Sequence, residues 1–227
     1  MMLDNLKKIR KETFRLKFRN LIWLPRTREW RRKKLDVDAF TIISNNCWGG
    51  TIYESYGMRK DSPTIGMFIM PADFVKFCDH LDCYLALPLE FIDPSQSKWE
   101  STLRSKDNWG TYLIGRLGDI ELHMLHYHDE AIAERKWNSR VGRIHRDRII
   151  YKFNDQNGAT EDDLLAFDAL PLANKLVFSA QAHPTVRCAH KIHCPMGCDF
   201  IPASYEPFGR NLSFDVNQFI NDCFASK

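Results

Sequence analysis

Apolar and polar positions alternate along this chain on two length scales. Short, continuous apolar runs occupy positions 40–43, 64–70, 87–92, 149–153, 175–179 and 186–192. Longer segments between them repeat apolar residues every three or four positions, as at 74–85, 130–143 and 214–223. Runs without alternation are typical of strands buried on both faces of a parallel sheet, and the longer period is that of amphipathic helices. The pattern predicts an α/β domain with a mainly parallel sheet flanked by helices.

The first apolar run leads directly into a loop of two amides, a thiol, an indole and two glycines: Asn45, Asn46, Cys47, Trp48, Gly49 and Gly50. In open α/β sheets, ligands bind outside the carboxyl ends of the strands, where this loop is expected. We predict that the loop binds a phosphate or an oxyanion and that Cys47 acts as a nucleophile. Adjacent glycines would allow a positive φ and close backbone approach to the ligand. In the alternative interpretation, the asparagines satisfy turn hydrogen bonds and Cys47 is a small buried hydrophobe.

A second polar stretch lies between positions 112 and 128. Read as a strand, it places Asp119, Glu121 and His123 on one face and Ile120, Leu122 and Met124 on the other. Two carboxylates and an imidazole suit proton transfer or a divalent cation, and an Asp-x-Glu pair occurs in metal-dependent nucleotide-sugar transferases. The alternative is a half-exposed strand whose polar residues face water.

Three further residues are assigned to ligand binding. Arg116 and His126 belong to the same polar stretch. Asp155 follows the apolar run 149–153 and precedes a helix that Thr160 is expected to cap. If the strands are parallel, Asp155 lies at the same edge of the sheet as Cys47.

Charge is unevenly distributed along the 227 residues. Positions 1–34 hold thirteen Lys or Arg residues against three Asp or Glu residues, whereas the whole chain has a formal net charge of only +3. We therefore divide the chain into a basic amphipathic helical extension, 1–35, and a single α/β domain, 36–227. The extension fits an anionic membrane surface, and a helix packed on the domain with solvated charges is the simpler alternative. Nucleic acid is a weaker candidate partner because no recognition motif accompanies the charge.

Composition points to a cytoplasmic protein, with the inner face of the membrane as a possible location. The seven cysteines are an odd number in a chain without secretory features, and no apolar run approaches the length of a membrane span. Five potential zinc ligands crowd one segment: Cys188, His190, His193, Cys194 and Cys198. Their spacing matches no standard zinc site, so a strand followed by a Pro-Gly turn is favoured there.

Several motifs together resemble a bacterial family usually labelled exopolysaccharide biosynthesis protein, a domain of unknown function. The resemblance spans roughly residues 38–180 and is carried by the stretches 43–50, 62–64, 71–74, 114–123, 126–127, 137–143, 153–161 and 167–171. It implies an α/β fold and a role in capsule or exopolysaccharide assembly.

The leading hypothesis is accordingly a transferase that acts on an activated sugar, with an activated sugar or acyl donor and a glycan acceptor as partners. Glycosyl transfer is slightly favoured over acyl transfer because the carboxylate pair fits a divalent cation, whereas a thiol-centred site would favour acyl transfer. No cofactor follows from the sequence beyond that possible cation. The alternatives are a membrane-associated scaffold or binding protein and a metal-dependent hydrolase built on the His-rich strand.

Overall fold

The computed structural model describes residues 22–194, 199–202, 205–210 and 212–225. The strands are β1 (Thr41–Ser44), β2 (Phe68–Ile69), β3 (Glu90–Ile92), β4 (Leu113–Leu117), β5 (Ile120–Met124), β6 (Ile149–Asn154), β7 (Lys175–Ser179) and β8 (Ala189–Lys191). The α-helices are α1 (Leu24–Arg32), α2 (Trp48–Tyr56), α3 (Pro71–Asp79), α4 (Leu81–Leu85), α5 (Glu100–Leu103), α6 (Glu130–Val141), α7 (Glu161–Ala169) and α8 (Val216–Phe224).

The strands divide into two sheets of four. One is parallel, in the order β1-β6-β7-β8, and the other is antiparallel, in the order β2-β5-β4-β3. The predicted α/β class is confirmed, but a mainly parallel sheet describes only half of the strands. The difference arises at the tight β4–β5 hairpin, where Gly118 has a φ of +58°. A two-residue turn of this kind joins antiparallel neighbours, because parallel strands need a longer crossover.

The parallel sheet is buried on both faces, as its continuous apolar strands predict. One face, which includes Phe153 and Val177, packs in a core with α3, α7 and the apolar side of β5. The opposite face, which includes Ile150 and Phe178, packs against α2 and α8. Every residue of β1 is buried, so the strand that precedes the amide and thiol loop is fixed from both sides.

The two sheets meet directly after β1. The Ile69 amide in β2 donates a hydrogen bond to the Asn45 carbonyl over 3.0 Å. The predicted strand 64–70 is reduced to Phe68–Ile69 because Gly66 has a φ of +83° and interrupts extended backbone. This junction brings the antiparallel sheet to the carboxyl edge of the parallel one.

The N-terminal extension predicted for residues 1–35 is only partly covered, since residues 1–21 lie outside the described ranges. The covered part does not form a separate arm, because α1 packs on α2 and Arg31 is buried between them. The Arg31 side chain donates hydrogen bonds to the Ser55 carbonyl (2.7 Å) and the Leu24 carbonyl (2.9 Å). Among the helices described, none has the length and apolar character that a membrane span requires.

Candidate functional site

The carboxyl edge of the parallel sheet is held together by paired amides. The Asn45 side chain accepts a hydrogen bond from the Asn154 amide (3.1 Å) and donates one to the Asn154 carbonyl (3.3 Å). This exchange mimics a strand ladder and ties the residue after β1 to the end of β6. Asn45 is completely buried, so its side chain positions the loop and faces no ligand.

A buried ion pair lies beneath the loop. Lys152, in the middle of β6, forms a salt bridge with Glu206, and neither side chain has any exposure to solvent. The carboxamide of Asn46 joins both charges, since its oxygen accepts from Lys152 Nζ (3.1 Å) and its nitrogen donates to Glu206 (3.0 Å). The same nitrogen donates to Gln156 Oε1 over 2.9 Å, and Asn154 donates to Glu206 over 3.0 Å. Burial lowers the pKa of Lys152 and raises that of Glu206, while the opposite charge of each partner counteracts the shift.

Helix α2 begins immediately after Cys47, so the two glycines that were expected in a tight loop lie in a helix instead. Gly49 and Gly50 lie in the first turn of α2 and are absent from the glycines with positive φ. A β-carbon on Gly49 would come within 3.3 Å of the Ile42 side chain, which shows that the glycine allows the helix to pack closely on β1. Trp48 is completely buried and donates from Nε1 to the Pro207 carbonyl over 2.8 Å. Packing therefore accounts for Trp48 and Gly49, while the ligand contacts predicted for the loop remain a prediction.

Cys47 is the partly accessible member of the loop. Its Sγ lies 3.7 Å from Nε2 of the exposed His126 and 3.9 Å from the Met67 carbonyl oxygen, both within the range of sulfur hydrogen bonds. Burial raises the pKa of the Cys47 thiol to about 11, and the nearby Glu206 carboxylate adds to this shift. At neutral pH the group is therefore a thiol beside an imidazole rather than a preformed thiolate.

A cavity of about 230 Å³ opens next to Cys47. Its lining combines apolar and aromatic side chains with amides and one amine; the lining residues are Asn46, Cys47, Phe68, Leu103, Lys106, Asn108, Tyr112, Leu125, Gln156 and Asn157. Asn157 has a φ of +59°, an unusual conformation for a residue other than glycine. The cavity lies where the two sheets meet, at the predicted edge.

Asp119 does not share a strand face with Glu121 and His123, because it lies in the β4–β5 turn. Its carboxylate accepts hydrogen bonds from Lys76 Nζ (2.6 Å) and the Tyr84 hydroxyl (2.7 Å). The hydrogen bond from Lys76 contributes most to lowering the pKa of Asp119 to about 2. The carboxylate is thus engaged on the surface, separate from the thiol.

Glu121 is buried and holds the segment that follows β3. One carboxylate oxygen accepts from the Ser97 hydroxyl over 2.5 Å, and the other accepts from the Lys98 amide over 2.9 Å. The predicted carboxylate pair therefore consists of two groups with separate structural partners.

His123 is the exception among the polar residues of β5. Its side chain is completely buried, and neither ring nitrogen has a hydrogen-bond partner. The imidazole stacks on Phe68, with the ring centroids 4.5 Å apart, and also contacts Tyr112 and Trp109. Burial lowers the pKa of His123 to about 3, so the ring is neutral at physiological pH. Because Phe68 lines the cavity, His123 lies directly behind its aromatic wall.

The remaining predicted ligand contacts have other partners. Arg116 forms a salt bridge with Glu90 over 2.7 Å on the antiparallel sheet. Asp155 accepts hydrogen bonds from the Ala180 amide (2.6 Å) and the Ile201 amide (2.8 Å), which ties together the ends of β6 and β7 and the segment 199–202. These contacts give Arg116 and Asp155 structural roles.

Within the described ranges, no three His, Cys, Asp or Glu side chains converge in a way that could hold a metal ion. The proposed Cys/His segment is only partly covered, since Cys198 lies outside those ranges. His190, in β8, packs against the ring of Phe214, with the centroids 4.8 Å apart.

The charged pair beneath the loop was not predicted from the sequence. Lys152 interrupts the apolar run 149–153, and a lysine in a strand predicted to be buried on both faces requires an acidic partner. No comparable signal marks Glu206. The contact between Cys47 and His126 was also missed as a pair, because the two residues are 79 positions apart.

Comparison with known proteins gives a family without a named reaction. A family model described as "Domain of unknown function (DUF1919)" matches residues 19–195. A protein of Haemophilus influenzae, described as "Uncharacterized protein", is 32% identical over 161 residues, which cover 71% of each chain.

Proposed function

This chain belongs to the family of the domain of unknown function DUF1919, and we propose that it is a thiol-dependent acyltransferase that modifies a glycan. The observation that carries the proposal is the 3.7 Å contact between Cys47 Sγ and His126 Nε2 beside the cavity. A nucleophile and a base within hydrogen-bond reach are the minimum requirement for covalent acyl transfer.

The raised pKa of Cys47 determines how the pair would work. A thiol with a pKa of about 11 is protonated at neutral pH, so the proton must leave as the new bond forms. His126 would accept it on Nε2, which requires the tautomer with its proton on Nδ1.

The reaction would proceed in two steps, acylation of Cys47 and transfer of the acyl group to the acceptor. In the first, Cys47 Sγ bonds to the carbonyl carbon of an acyl thioester or acyl phosphate and its proton passes to His126. The C–S or C–O bond to the leaving group breaks, and the leaving thiolate or phosphate takes that proton. In the second, an acceptor hydroxyl attacks the acyl carbon and gives its proton to His126. The Cys47 sulfur then leaves, and His126 returns the proton to it.

The chemistry of the cavity favours a sugar as the acceptor. A sugar ring has apolar C–H faces, which can lie on Phe68 and Tyr112, and hydroxyls, which can bond to the amides of Asn108, Gln156 and Asn157. Lys106 adds a cation for a phosphate or carboxylate on either substrate. A role in capsule or exopolysaccharide assembly is the part of the proposal that rests on the resemblance of motifs alone.

Acyl transfer is better supported than glycosyl transfer through a divalent cation. The latter depended on Asp119 and Glu121 acting together, and each carboxylate has separate partners. Cys47, in contrast, lines the cavity and is in contact with His126.

The test is to trap the acyl-enzyme. Purified protein is incubated with acetyl-coenzyme A, palmitoyl-coenzyme A or acetyl phosphate, and the modified peptide is identified by mass spectrometry. We expect the adduct on Cys47, its loss in Cys47→Ala, and formation at least ~100-fold slower in His126→Ala, since a general base contributes about that much or more. Cys83→Ser is the matched control because Cys83 is exposed on α4, away from the cavity.

Two outcomes would contradict the proposal. One is an adduct that forms on Cys83 as readily as on Cys47. The other is the absence of any Cys47 adduct with all three donors. Thermal stabilisation by sugars without an adduct would instead indicate a binding protein.

A further inference from the structure

The outward side of α1 carries two exposed tryptophans. Trp23, the N-cap with helical dihedral angles, and Trp30 are seven residues apart, which is close to two helical turns and places them on the same side. Trp23 is 43% exposed and Trp30 is 61% exposed. Ile22, immediately before Trp23, is also exposed. The ring of Trp23 is partly covered by Phe208, with the centroids 5.8 Å apart, and the rest of this apolar surface is exposed.

Exposed basic residues are frequent in and directly after α1. Arg26, Arg28, Lys33 and Lys34 are all exposed, and Glu29 is the acidic residue of α1. The ammonium group of Lys34 lies 5.6 Å from the centre of the Trp30 ring. The surface therefore combines exposed indole rings with an excess of positive charge.

The helix is rigidly attached to the rest of the fold. Besides the hydrogen bonds of Arg31 to the Ser55 and Leu24 carbonyls, the Arg31 guanidinium lies 5.0 Å from the centre of the Trp23 ring. Leu24 is buried on the inner side of the helix. Because α1 is fixed on α2, the tryptophans are held outward and any surface that binds them also orients α2.

We propose that the surface formed by Ile22, Trp23, Trp30, Lys33 and Lys34 docks on an anionic lipid surface. Indole rings favour the headgroup level of a bilayer, where the apolar body is buried and the N–H stays hydrated. Lysines and arginines at that level are attracted by anionic headgroups. This inference concerns a surface outside the cavity, and it does not depend on the proposed acyl chemistry.

The experiment uses the full chain and vesicles of defined composition. Binding is measured by co-sedimentation with phosphatidylcholine vesicles that contain either 30% phosphatidylglycerol or none, at about 0.1 M salt, where the Debye length is about 10 Å. We expect clear binding to the anionic vesicles only. The double variant Trp23→Ala/Trp30→Ala should bind at least about tenfold more weakly, since interfacial binding follows the apolar area inserted. Lys33→Glu/Lys34→Glu should also bind at least about tenfold more weakly, because each basic residue near the surface contributes several-fold.

Matched controls test whether vesicle binding depends on this surface or on exposed apolar side chains anywhere on the protein. Ile132→Ala/Leu165→Ala removes two similarly exposed apolar side chains from α6 and α7 and should bind like the wild type. Vesicles made with brominated lipid provide a measurement on the unmodified protein, because bromine quenches an indole only when the ring enters the bilayer. Circular dichroism shows whether each variant is folded.

The proposal is overturned if the protein binds both vesicle types equally, or if the tryptophan double variant binds like the wild type. It is also overturned if brominated lipid leaves the fluorescence unchanged. Tight binding to a single-stranded oligonucleotide without binding to vesicles would assign the surface to nucleic acid instead.

Discussion

The rings of Phe68 and His123 lie face to face, with their centroids 4.5 Å apart and an angle of 9° between their planes. Phe68 pairs with His123 across β2 and β5, and its side chain also lines the cavity beside Cys47. A polar ring without any hydrogen-bond partner is thus held immediately behind the cavity wall. Burying such a group without a partner lowers the free energy of unfolding by about 1–3 kcal/mol, so a substitution of His123 should change stability measurably.

We predict that His123→Phe stabilises the protein, and more so at acidic pH. The substitution removes the unpaired nitrogens and gains about 1–3 kcal/mol at pH 7, less any strain from the larger ring. The folded-state pKa of about 3 is below the unfolded value of about 6.5, so below pH 6.5 the proton binds preferentially to the unfolded chain. The wild type should therefore lose about 2 kcal/mol between pH 7 and pH 5 through this residue alone.

Urea unfolding of both proteins at pH 7 and pH 5 measures this difference. His80→Phe is the control, because it replaces an exposed imidazole at the end of α3 with the same aromatic ring. Equal pH dependence in His123→Phe and the wild type would show that His123 finds a partner or solvent in the folded state. The comparison between two pH values is independent of packing strain, which is the same at both.

The position of the site was predictable from sequence because it depends on local signals. The apolar run before Asn45 marks a buried strand, and the carboxyl end of such a strand is where a cavity is expected. The chemistry around the thiol was not predictable in the same way. His126 and Glu206 reach the loop from the end of the antiparallel sheet and from the C-terminal segment, and no local pattern specifies such distant contacts.

The polar stretch 112–128 shows a second limit of prediction from sequence alone. Alternation correctly separated the apolar side of β5, where Leu122 and Met124 enter the core. The polar side of β5 is buried as well, because the segment containing Ser97 and Trp109 covers it. Alternation did not predict this burial. Whether a strand face meets water or another segment is a tertiary property that alternation alone does not report.

The buried ion pair predicts a non-additive effect of two substitutions. Lys152→Met leaves the Glu206 carboxylate buried without its partner and should cost about 3–5 kcal/mol. In Lys152→Met/Glu206→Gln neither charge remains, and the amide oxygen can still accept a hydrogen bond from one of the two former donors, Asn46 or Asn154. The double variant should be more stable than Lys152→Met.

Thermal and urea unfolding of the wild type, the single variants Lys152→Met and Glu206→Gln, and the double variant measure this coupling. The exposed pair of Arg116 and Glu90 is the control, and breaking it should change stability little because solvent screens the charges. If the double variant is less stable than the wild type by the sum of the two single-variant losses, the two charges do not act as a pair.

The raised pKa of Cys47 predicts slow alkylation at neutral pH. With iodoacetamide, the exposed Cys83 should be modified well before Cys47 at pH 7, because the thiolate is the reactive form. The rate at Cys47 should rise about tenfold per pH unit until the pH approaches 11. Glu206→Gln should speed the reaction at Cys47, since it removes a negative charge that raises the thiol pKa.

Peptide mapping after timed alkylation distinguishes the cysteines. A Cys47 that reacts fastest at pH 7 would contradict the neutral thiol and would indicate a preformed thiolate. If Cys47 also reacts fastest at pH 7 in the His126→Ala variant, the imidazole is not the cause of the preformed thiolate.

Gly49→Ala tests whether the glycine is needed for the close packing of α2 on β1. A methyl group at this position would approach Ile42 Cγ2 to 3.3 Å, and Ile42 is completely buried in β1, so it has no space to retreat. Overpacking of this kind costs about 1–3 kcal/mol, which exceeds the gain of up to about 1 kcal/mol from placing alanine in a helix. We therefore expect a net loss of about 1 kcal/mol in urea unfolding, and slower acylation of Cys47 because α2 is displaced from the sheet.

Gly142→Ala is the matched control for this last prediction. It lies at the end of α6 with a φ of −67°, and a β-carbon there would approach the Asn138 carbonyl only to 3.7 Å, an ordinary contact. Its replacement should be neutral or stabilising by up to about 1 kcal/mol, because alanine restricts the unfolded chain. If Gly49→Ala is as stable as Gly142→Ala, the helix can shift on β1 without cost. The close packing that holds Cys47 opposite His126 would then need a different explanation.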